Sequence, residues 1–451
     1  MIRRPPRSTL SSSSAASDVY KRQMVGELAP EISKSTPGNI SCGRLPSLNT
    51  LIQIGGKTND GYFDFGQIPG LASDKDFERL KVLSDELQFD DPINIQFTSG
   101  TTGFPKGATL THFNVLNNGY FTGEGLKFTS SDKLCVPVPL YHCFGMVLSN
   151  VAALTHGAAL VYPAEAFDPL TVLETVEAER CTALHGVPTM FIAELGHPNF
   201  KEFDLSSLRT GIMAGSPCPI EVMRRVVDEM HCKEMIIAYG MTETSPIITL
   251  TETDDPIEKQ VTTVGRISPH VEVKIIDDTG CIVEPGKTGE LLSRGYNVMQ
   301  GYWDDPELTA ESIDVAGWMH TGDLATMDEE GFCNIVGRVK DMVIRGGENI
   351  YPREIEEYLY RYEKISDVQV FGVPDEKFVE ELCAWIILKP EETATEDDIR
   401  EFCNGQIAHY KIPRYIRFVD AFPMTITGKV QKFAMRDTMI KELGINFMKT
   451  A

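Results

Sequence analysis

The chain has 451 residues, of which 42% are hydrophobic and 24% are charged, a composition that supports roughly two to four packed domains. Its 65 acidic residues outnumber 42 basic ones, and the resulting net charge of -23 argues against nucleic acid as a partner. The stretch 135–163 carries no charge, but proline, histidine, asparagine and glycine interrupt it, so buried strands and a helix explain it better than a transmembrane segment. The ten cysteines form no C-x-x-C pair and predict reduced thiols in an intracellular protein.

The first 23 residues are rich in Arg and Ser and contain no acid before Asp18, which by composition is typical of a mitochondrial presequence. The string IRRPPRSTLSSSSAASDVYKRQ, however, resembles a translated sequencing-adaptor remnant more closely. We therefore interpret 1–23 as an artefactual, disordered leader and leave it out of the fold prediction.

Between about residue 91 and residue 240, short apolar runs alternate with amphipathic stretches, the pattern of βα units around a parallel sheet. Three of the predicted helices open with proline, whose missing N–H costs no hydrogen bond at the first helical position. Ligands of open parallel sheets lie outside the carboxyl ends of the strands, so the segments that follow these strands are expected to line one cleft. The predicted strands are 93–97, 134–138, 158–162, 183–186, 209–214 and 235–239, and the predicted helices are 144–155, 169–179, 188–195 and 219–229.

The pattern changes after residue 261 to short alternating runs at 271–276, 289–294 and 332–336, which predict a small antiparallel or barrel-like unit. Near Lys340 it changes again to a compact α+β segment, with a helix that opens at Pro352 and another over 429–443. The predicted domains are therefore a remnant of an N-terminal subdomain (24–90), an α/β subdomain (91–260), a β-rich subdomain (261–339) and an α+β domain (340–451).

The strongest local motif is Thr-Ser-Gly-Thr-Thr-Gly-Phe-Pro-Lys-Gly at 98–107, directly after a predicted strand. Its glycines permit unusual backbone angles, its hydroxyls are donors and Lys106 is a cation, a combination suited to wrapping a polyphosphate. An ordinary flexible loop is the simplest alternative. A Walker A loop does not fit, because Pro105 precedes the lysine and Gly107 follows it. The candidate phosphate-binding residues are Thr98, Ser99, Gly100, Thr101, Thr102, Gly103, Phe104, Pro105 and Lys106.

This loop resembles the phosphate-binding signature of the adenylate-forming superfamily, which contains acyl-CoA ligases, luciferases and the adenylation domains of peptide synthetases. Five further segments that resemble this family follow in the family's order, from 215–217 to 427–429. Taken singly, each has an ordinary structural explanation; Asp323 could be a turn residue and Arg338 a surface ion pair. Six such segments in one order across most of the chain make coincidence remote.

The resemblance implies roles for residues near the end of the predicted parallel sheet. Tyr239 would stack on adenine, Thr242 would contact the α-phosphate and Glu243 would help to bind Mg²⁺. Gly215, in the Gly-Ser-Pro turn 215–217, would line the pocket for adenine and the acyl group. The resemblance also implies the family fold: a large parallel βα domain, here incomplete at its N-terminus, a β-rich subdomain and a small mobile C-terminal domain.

The same resemblance implies that Asp323 accepts both ribose hydroxyls, that Arg338 contacts the ribose and that Lys429 reaches into the site during adenylation. The C-terminal domain would then rotate about Lys340, withdraw Lys429 and bring the segment 345–349 alongside a tunnel for coenzyme A. The ligands implied are ATP, Mg²⁺, a small carboxylic acid and coenzyme A as co-substrate.

Within the superfamily, the strings at 92–97, 139–142, 345–352 and 409–413 most resemble medium-chain acyl-CoA ligases of mitochondria. They predict a medium-chain fatty acid as substrate and favour a mitochondrial location, while the chain length and the oligomeric state stay open. Methionine and aromatic side chains suit an adaptable apolar ligand, although core packing explains them equally well. The predicted acyl-pocket residues are Tyr141, His142, Phe144, Met146, Met190, Gly215 and Met241.

Two other functions are considered. An adenylation domain that loads a carrier protein usually has an acidic residue early in its pocket, where this chain has Tyr141 and His142. A non-catalytic nucleotide or acyl-CoA sensor would be expected to have lost Lys106, Glu243 or Lys429, and all three are present. Because family members carry a long N-terminal subdomain before the phosphate loop, we also expect this chain to be a truncated piece of an active parent protein, and to be poorly expressed or inactive by itself.

Overall fold

The computed structural model describes residues 23–55, 58–99, 105–216, 218–375, 377–424 and 430–444. The predicted leader, apart from its last residue, falls outside these ranges, and so do residues 100–104, Pro217 and Lys429. Over the ranges described, none of the helices is both long enough and apolar enough to cross a bilayer.

The described residues divide into two compact units, with the division between Gln88 and Phe89. The first unit contains two short strands that pair in parallel, β1 (Ile52–Gln53) and β2 (Phe63–Asp64), and helix α1 (Asp74–Glu86). Ser73 caps α1, since its backbone N–H and its hydroxyl both donate to the Asp76 carboxylate at 2.7 Å. The small core of this unit consists of Ala29, Ile32, Ile40 and Cys42.

The second unit contains nineteen strands and ten α-helices among its described residues. The strands are β3 (Pro92–Ser99), β4 (Pro105–Thr111), β5 (Lys133–Cys135), β6 (Ala159–Val161), β7 (Ala183–Gly186), β8 (Thr210–Ala214), β9 (Glu234–Gly240), β10 (Ile247–Leu250), β11 (Arg266–Ile267), β12 (Val271–Ile276), β13 (Gly289–Gly295), β14 (Gly301–Tyr302), β15 (Met319–Met327), β16 (Cys333–Arg338), β17 (Val343–Arg345), β18 (Glu348–Ile350), β19 (Ile365–Asp375), β20 (Val379–Leu388) and β21 (Tyr415–Phe418). The helices are α2 (His112–Gly125), α3 (Ala152–His156), α4 (Pro169–Glu179), α5 (Pro188–Leu195), α6 (Ile220–Glu229), α7 (Ile257–Thr262), α8 (Pro306–Ser312), α9 (Pro352–Leu359), α10 (Glu396–Cys403) and α11 (Lys432–Glu442).

A seven-stranded sheet in the order β11-β10-β9-β8-β7-β5-β6 forms the centre of the second unit. The five strands β5 to β9 are parallel, and β10 and β11 extend the sheet antiparallel at one edge. The predicted α/β class and parallel sheet are confirmed. Helices α4 and α5 occupy the predicted ranges, because each begins with a proline and continues with an apolar stripe that packs on the sheet.

The strand predicted at 93–97 was wrongly assigned to the parallel sheet. It forms β3, which pairs antiparallel with β4, and β14 pairs with the other edge of β4. Thr98 lies opposite Lys106 in this hairpin, so the glycine-rich segment connects two antiparallel strands. A run of alternating apolar residues specifies a strand but not its partner, which explains the error. The hairpin also differs from the strand-to-helix setting of a Walker A loop.

The helix predicted at 144–155 is present but begins as a π-helix, Phe144–Val151, before it continues as α3. The hydroxyl of Ser149 donates to the carbonyl of Phe144 at 3.0 Å, a contact across five residues that suits this wider turn. The prediction of a helix is therefore confirmed in position, while its hydrogen-bond pattern differs.

The β-rich segment folds into an antiparallel sheet in the order β12-β13-β15-β16, which confirms the predicted strand type there. The last segment forms a five-stranded sheet in which β19 and β20 make a long hairpin and β21 pairs in parallel with β20. One face packs on α9 and α10, and the other face packs on α11. The domain boundaries at 90, 260 and 339 stay predictions.

Candidate active site

The buried carboxylate of Asp323 joins two predicted site residues. The hydroxyl of Tyr239, near the end of β9, donates to Asp323 Oδ2 at 2.7 Å, and Arg338 Nε donates to Asp323 Oδ1 at 3.0 Å. Asp323 and Arg338 are directly opposite in the pairing of β15 with β16. Burial, together with the neighbouring Asp323 carboxylate, raises the pKa of Tyr239, so its hydroxyl is a neutral donor.

This arrangement leaves Asp323 able to bind a diol. An ionised carboxylate offers about four acceptor positions, and Tyr239 and Arg338 occupy one on each oxygen. Asp323 is only 6% exposed, and the bonds to Tyr239 and Arg338 hold the orientation of its carboxylate. Two neighbouring hydroxyl groups, such as those of a ribose, could use the positions that remain.

A second group of contacts surrounds Glu243, three residues after β9. The hydroxyl of Tyr302 donates to Glu243 Oε1 at 2.8 Å, and Lys106 Nζ lies 5.3 Å from the centre of the Tyr302 ring. The backbone N–H of Met299 donates to the carbonyl of Glu243 at 2.9 Å. A lysine cation from the predicted phosphate loop and a buried carboxylate therefore share one neighbour.

Glu243 fits the predicted role of a magnesium ligand in one respect. No group of three or more His, Cys, Asp or Glu side chains that could hold a metal ion occurs within the described ranges. Mg²⁺ is usually held in proteins by one or two carboxylates together with substrate phosphates and water. A single buried carboxylate near Lys106 agrees with that way of binding, and Glu243 is the residue that would hold the ion.

The turn after β9 connects the two groups of contacts, because Tyr239 and Glu243 are four residues apart. Gly240 is required there, since a Cβ atom would lie 1.8 Å from the carbonyl oxygen of Pro246. Thr244 Oγ1 accepts from the N–H of Met241 at 3.1 Å and lies 2.9 Å from the Pro246 carbonyl oxygen, while Ser245 Oγ donates to the Asn297 carbonyl at 2.7 Å. These bonds hold the turn in place, and with it the positions of Tyr239 and Glu243 relative to each other.

Two other predicted residues follow the ends of neighbouring strands. Gly215 comes directly after β8 with a φ of +95°, and a Cβ atom there would lie 3.2 Å from Val187 Cγ1. The hydroxyl of Thr242 is 3.6 Å from Cys143 Sγ, at the start of the π-helix. The carboxyl ends of β7, β8 and β9 thus contribute to one edge of the sheet, as expected for a ligand cleft.

Four of the predicted acyl-pocket residues share one apolar cluster. Phe144 is buried in it, and Met146, Met190 and Met241 are half-buried against it. Tyr141 is 66% exposed. His142 Nδ1 accepts a hydrogen bond from the N–H of Phe144 at 3.1 Å, so this ring nitrogen has a structural role in the turn before the π-helix.

Several predicted residues cannot be placed, because they lie outside the described residues. Of the phosphate-loop candidates, Thr98 and Lys106 are described, and Ser99 and Pro105 are described as paired backbone only. Lys340 lies in a single 3₁₀ turn, Val339–Asp341, directly after β16. The residues not placed are Gly100, Thr101, Thr102, Gly103, Phe104, Pro217 and Lys429.

Sequence reasoning missed Tyr302 and Glu381. Glu381 is 1% exposed and accepts two hydrogen bonds from Arg345, at 2.7 and 2.8 Å, which anchor the segment predicted to face coenzyme A. No local motif marks either residue. Their partners lie 59 and 36 positions away, so only the folded chain reveals them.

Comparison with family models identifies two matches. Residues 49–303 match the AMP-binding enzyme family, and residues 354–429 match the C-terminal domain of AMP-binding enzymes. The match to the first model covers more than half of the chain.

Comparison with individual proteins agrees. The chain is 52% identical over 424 residues to a putative acyl-CoA synthetase, YngI, of Bacillus subtilis, which covers 94% of this chain and 77% of that protein. It is 48% identical over 425 residues to the mitochondrial medium-chain acyl-CoA ligase ACSF2 of Danio rerio, with coverage of 94% and 70%.

Solved structures show the same fold. ATP-bound MatB from Rhodopseudomonas palustris aligns with a TM-score of 0.73 at 33% identity, covering 79% of this chain and 70% of that one. The AMP complex of O-succinylbenzoate coenzyme A synthetase, MenE, from Bacillus subtilis aligns with a TM-score of 0.70 at 26% identity, covering 87% and 80%. With the site geometry described above, these matches show that the chain belongs to the AMP-binding family of adenylate-forming enzymes.

Proposed function

We propose that this protein is an ATP-dependent acyl-CoA ligase, which activates a carboxylic acid as its acyl-adenylate and transfers the acyl group to coenzyme A. The observation that carries the proposal is the pair of buried carboxylates, Asp323 and Glu243, connected through the rigid turn that follows β9. One carboxylate is suited to a ribose, and the other is suited to a metal ion beside a polyphosphate.

The first chemical step joins a carboxylate to the α-phosphorus of ATP. Two anions approach each other in this step, so the site must supply positive charge and must hold the reactants in line. Lys106 and Lys429 would supply charge as protonated amines, with Lys429 bridging the carboxylate and phosphate oxygens. Mg²⁺ held by Glu243 would neutralise further phosphate charge when bound. The products are acyl-AMP and pyrophosphate.

The nucleotide is held by the groups around β9 in this proposal. Asp323 accepts hydrogen bonds from the ribose hydroxyls, while Tyr239 and Arg338 keep its carboxylate in place. Thr242 donates to the α-phosphate, and Gly215 leaves room for the nucleotide beside Val187. Phosphate-loop residues 98–106 would wrap the remaining phosphates with backbone and hydroxyl donors.

The second step is attack of the coenzyme A thiol on the acyl carbon, with AMP as the leaving group. Lys429 must leave the acyl carbon before the thiol can approach, so we propose that the domain 340–451 rotates about Lys340. The segment after β17 would then face the thiol. Gly346 and Gly347 in that segment both have positive φ, 61° and 91°, and carry no side chain that would block a narrow tunnel.

A medium-chain fatty acid is the proposed substrate, because an acyl-CoA ligase with 48% identity carries that specificity in its name. The cluster of Phe144, Met146, Met190 and Met241 offers a flexible apolar wall that suits such a chain. The same relative supports a mitochondrial location for this protein.

Acid-dependent exchange of labelled pyrophosphate into ATP by the purified protein tests the proposal. The acids to compare are acetate, octanoate, palmitate and benzoate, followed by thioester formation after addition of coenzyme A. We expect exchange to require the acid and to be fastest with octanoate. Exchange followed by transfer to an amine or a carrier protein, but not to coenzyme A, would favour the alternative acceptor, and acid-independent exchange would refute adenylation of an acid.

A further inference from the structure

Tyr302 connects the predicted phosphate loop with the predicted metal ligand. Its hydroxyl is 2.8 Å from Glu243 Oε1, and Lys106 Nζ lies 5.3 Å from its ring centre. The tyrosine is 7% exposed, and Glu243 is 6% exposed. Two charges that act on the phosphates in the proposed reaction are therefore both in contact with one buried ring.

The backbone holds this ring in place from two directions. Tyr302 lies opposite Ala108 in the pairing of β14 with β4, two residues after Lys106, and the N–H of Trp303 donates to the carbonyl of Gly107 at 2.7 Å. The N–H of Tyr302 itself donates to Thr309 Oγ1 at 2.9 Å, which ties β14 to α8. The position of the ring relative to the strand that follows the phosphate loop is thereby fixed.

The hydrogen bond has a defined direction. A phenol is protonated at neutral pH and donates, and a carboxylate can only accept. The bond uses Oε1 of Glu243, so the charge and the lone pairs of Oε2 remain for a cation. A buried carboxylate with no such partner would be free to rotate and would be costly to keep charged.

We propose that Tyr302 is a positioning residue for the metal-bound nucleotide. Through its hydroxyl it orients the Glu243 carboxylate that would hold Mg²⁺ when MgATP is bound, and through the face of its ring it positions Lys106, which would contact the phosphates. This inference rests on the proposed function and deepens it, because it assigns a role at the metal to a residue outside the recognised motifs.

Tyr302→Phe separates the two contacts, since it keeps the ring below Lys106 and removes the hydroxyl. We expect the Mg²⁺ concentration for half-maximal pyrophosphate exchange to rise about tenfold, the effect of one hydrogen bond to a charged group, while the KM for the acid stays the same. Most of the exchange rate should return at saturating Mg²⁺. MnATP binding, measured by electron paramagnetic resonance without any acid, should weaken by about the same factor.

Tyr358→Phe is the matched control. The Tyr358 hydroxyl donates to the carbonyl of Phe402 at 2.9 Å, and neither residue has a proposed contact with the nucleotide. Its loss should leave both MnATP binding and the Mg²⁺ dependence unchanged. If Tyr302 serves only to pack its ring, Tyr302→Phe should likewise leave MnATP binding and the Mg²⁺ dependence unchanged. That result would overturn the inference.

If Tyr302→Phe alone unfolds the chain, the double variant Tyr302→Phe with Glu243→Gln provides the test. It removes the buried Glu243 charge that Tyr302→Phe would leave without its hydrogen-bond donor. Its MnATP affinity should equal that of Glu243→Gln alone, since the hydroxyl acts through the carboxylate. Additive losses would contradict the inference. A wild-type protein that shows no acid-dependent exchange would instead count against the proposed function, so the two failures are distinguishable.

Discussion

Replacement of Asp323 by asparagine tests the proposal that this carboxylate binds the ribose of ATP. Asparagine has the same shape but a single acceptor oxygen and no charge, so it cannot accept from Tyr239, Arg338 and both ribose hydroxyls together. A hydrogen bond to a charged group contributes about 1.5–3 kcal/mol. Loss of one such bond to the nucleotide corresponds to a roughly 10- to 150-fold weaker affinity for ATP.

Pyrophosphate exchange at varied ATP concentration measures this effect as a change in the KM for ATP. The comparison should be repeated with 2′-deoxy-ATP, which lacks one of the two hydroxyls. The wild type should prefer ATP by about tenfold, and Asp323→Asn should have lost most of this preference because the accepting oxygen is missing.

Asp278→Asn is a suitable control, since Asp278 lies in an exposed turn after β12 and the change removes the same charge. It should leave the KM for ATP and the ribose preference unaltered. If Asp323→Asn kept a KM for ATP within about twofold of the wild type, a ribose contact worth a charged hydrogen bond would be refuted.

Three further predictions concern the site and the stability of the fold. Burial lowers the pKa of His185 to about 3, so protons bind preferentially to the unfolded chain below pH 6.5. Between about pH 6.5 and pH 5, the free energy of unfolding of the wild type should therefore fall about 1.5 kcal/mol more than that of His185→Phe. An equal fall of the unfolding free energy in both proteins, measured by urea titration, would contradict this. Arg209 Nη2 donates to Asp132 at 2.8 Å, and Arg209 Nη1 donates to Glu234 at 2.6 Å. Arg209→Ala should lower the free energy of unfolding by roughly 3 kcal/mol, because it leaves the Asp132 carboxylate buried without its cation. A loss as small as that of an exposed ion pair would show that water replaces the arginine. Lys429→Ala should slow pyrophosphate exchange by orders of magnitude but spare thioester formation from supplied acyl-AMP, and equal loss of both half-reactions would refute the rotating-domain proposal.

The sequence was sufficient to predict elements whose boundaries are set by local chemistry. Helix α5 has an apolar stripe and begins at Pro188, and helix α4 likewise begins at Pro169, so both were predicted at their observed positions. Strand β12 alternates and ends at an Asp-Gly-rich turn, and its predicted range is also correct. These signals lie within a few residues of the boundary they specify.

Pairing between distant segments could not be predicted in the same way. Strand β3 has the composition of a strand in either a parallel or an antiparallel sheet. Its partner β4 begins within the glycine-rich motif, whose composition does not indicate a strand. Tyr302 had no motif, because its role depends on a carboxylate 59 positions away. The family resemblance brings distant residues together in the prediction only where each lies in a recognisable motif, as Tyr239, Asp323 and Arg338 do.

Tracing the two carboxylate oxygens of the acid substrate tests most directly whether the reaction proceeds through an acyl-adenylate. In this mechanism one oxygen of the acid attacks the α-phosphorus and stays with it when the thiol breaks the acyl C–O bond, so an acid labelled with ¹⁸O on both oxygens should give AMP that carries one labelled oxygen and a thioester that keeps the other. Mass spectrometry of the nucleotide products decides the question. Label in inorganic phosphate, or AMP without label while acyl-CoA forms, would contradict activation of the acid as its adenylate.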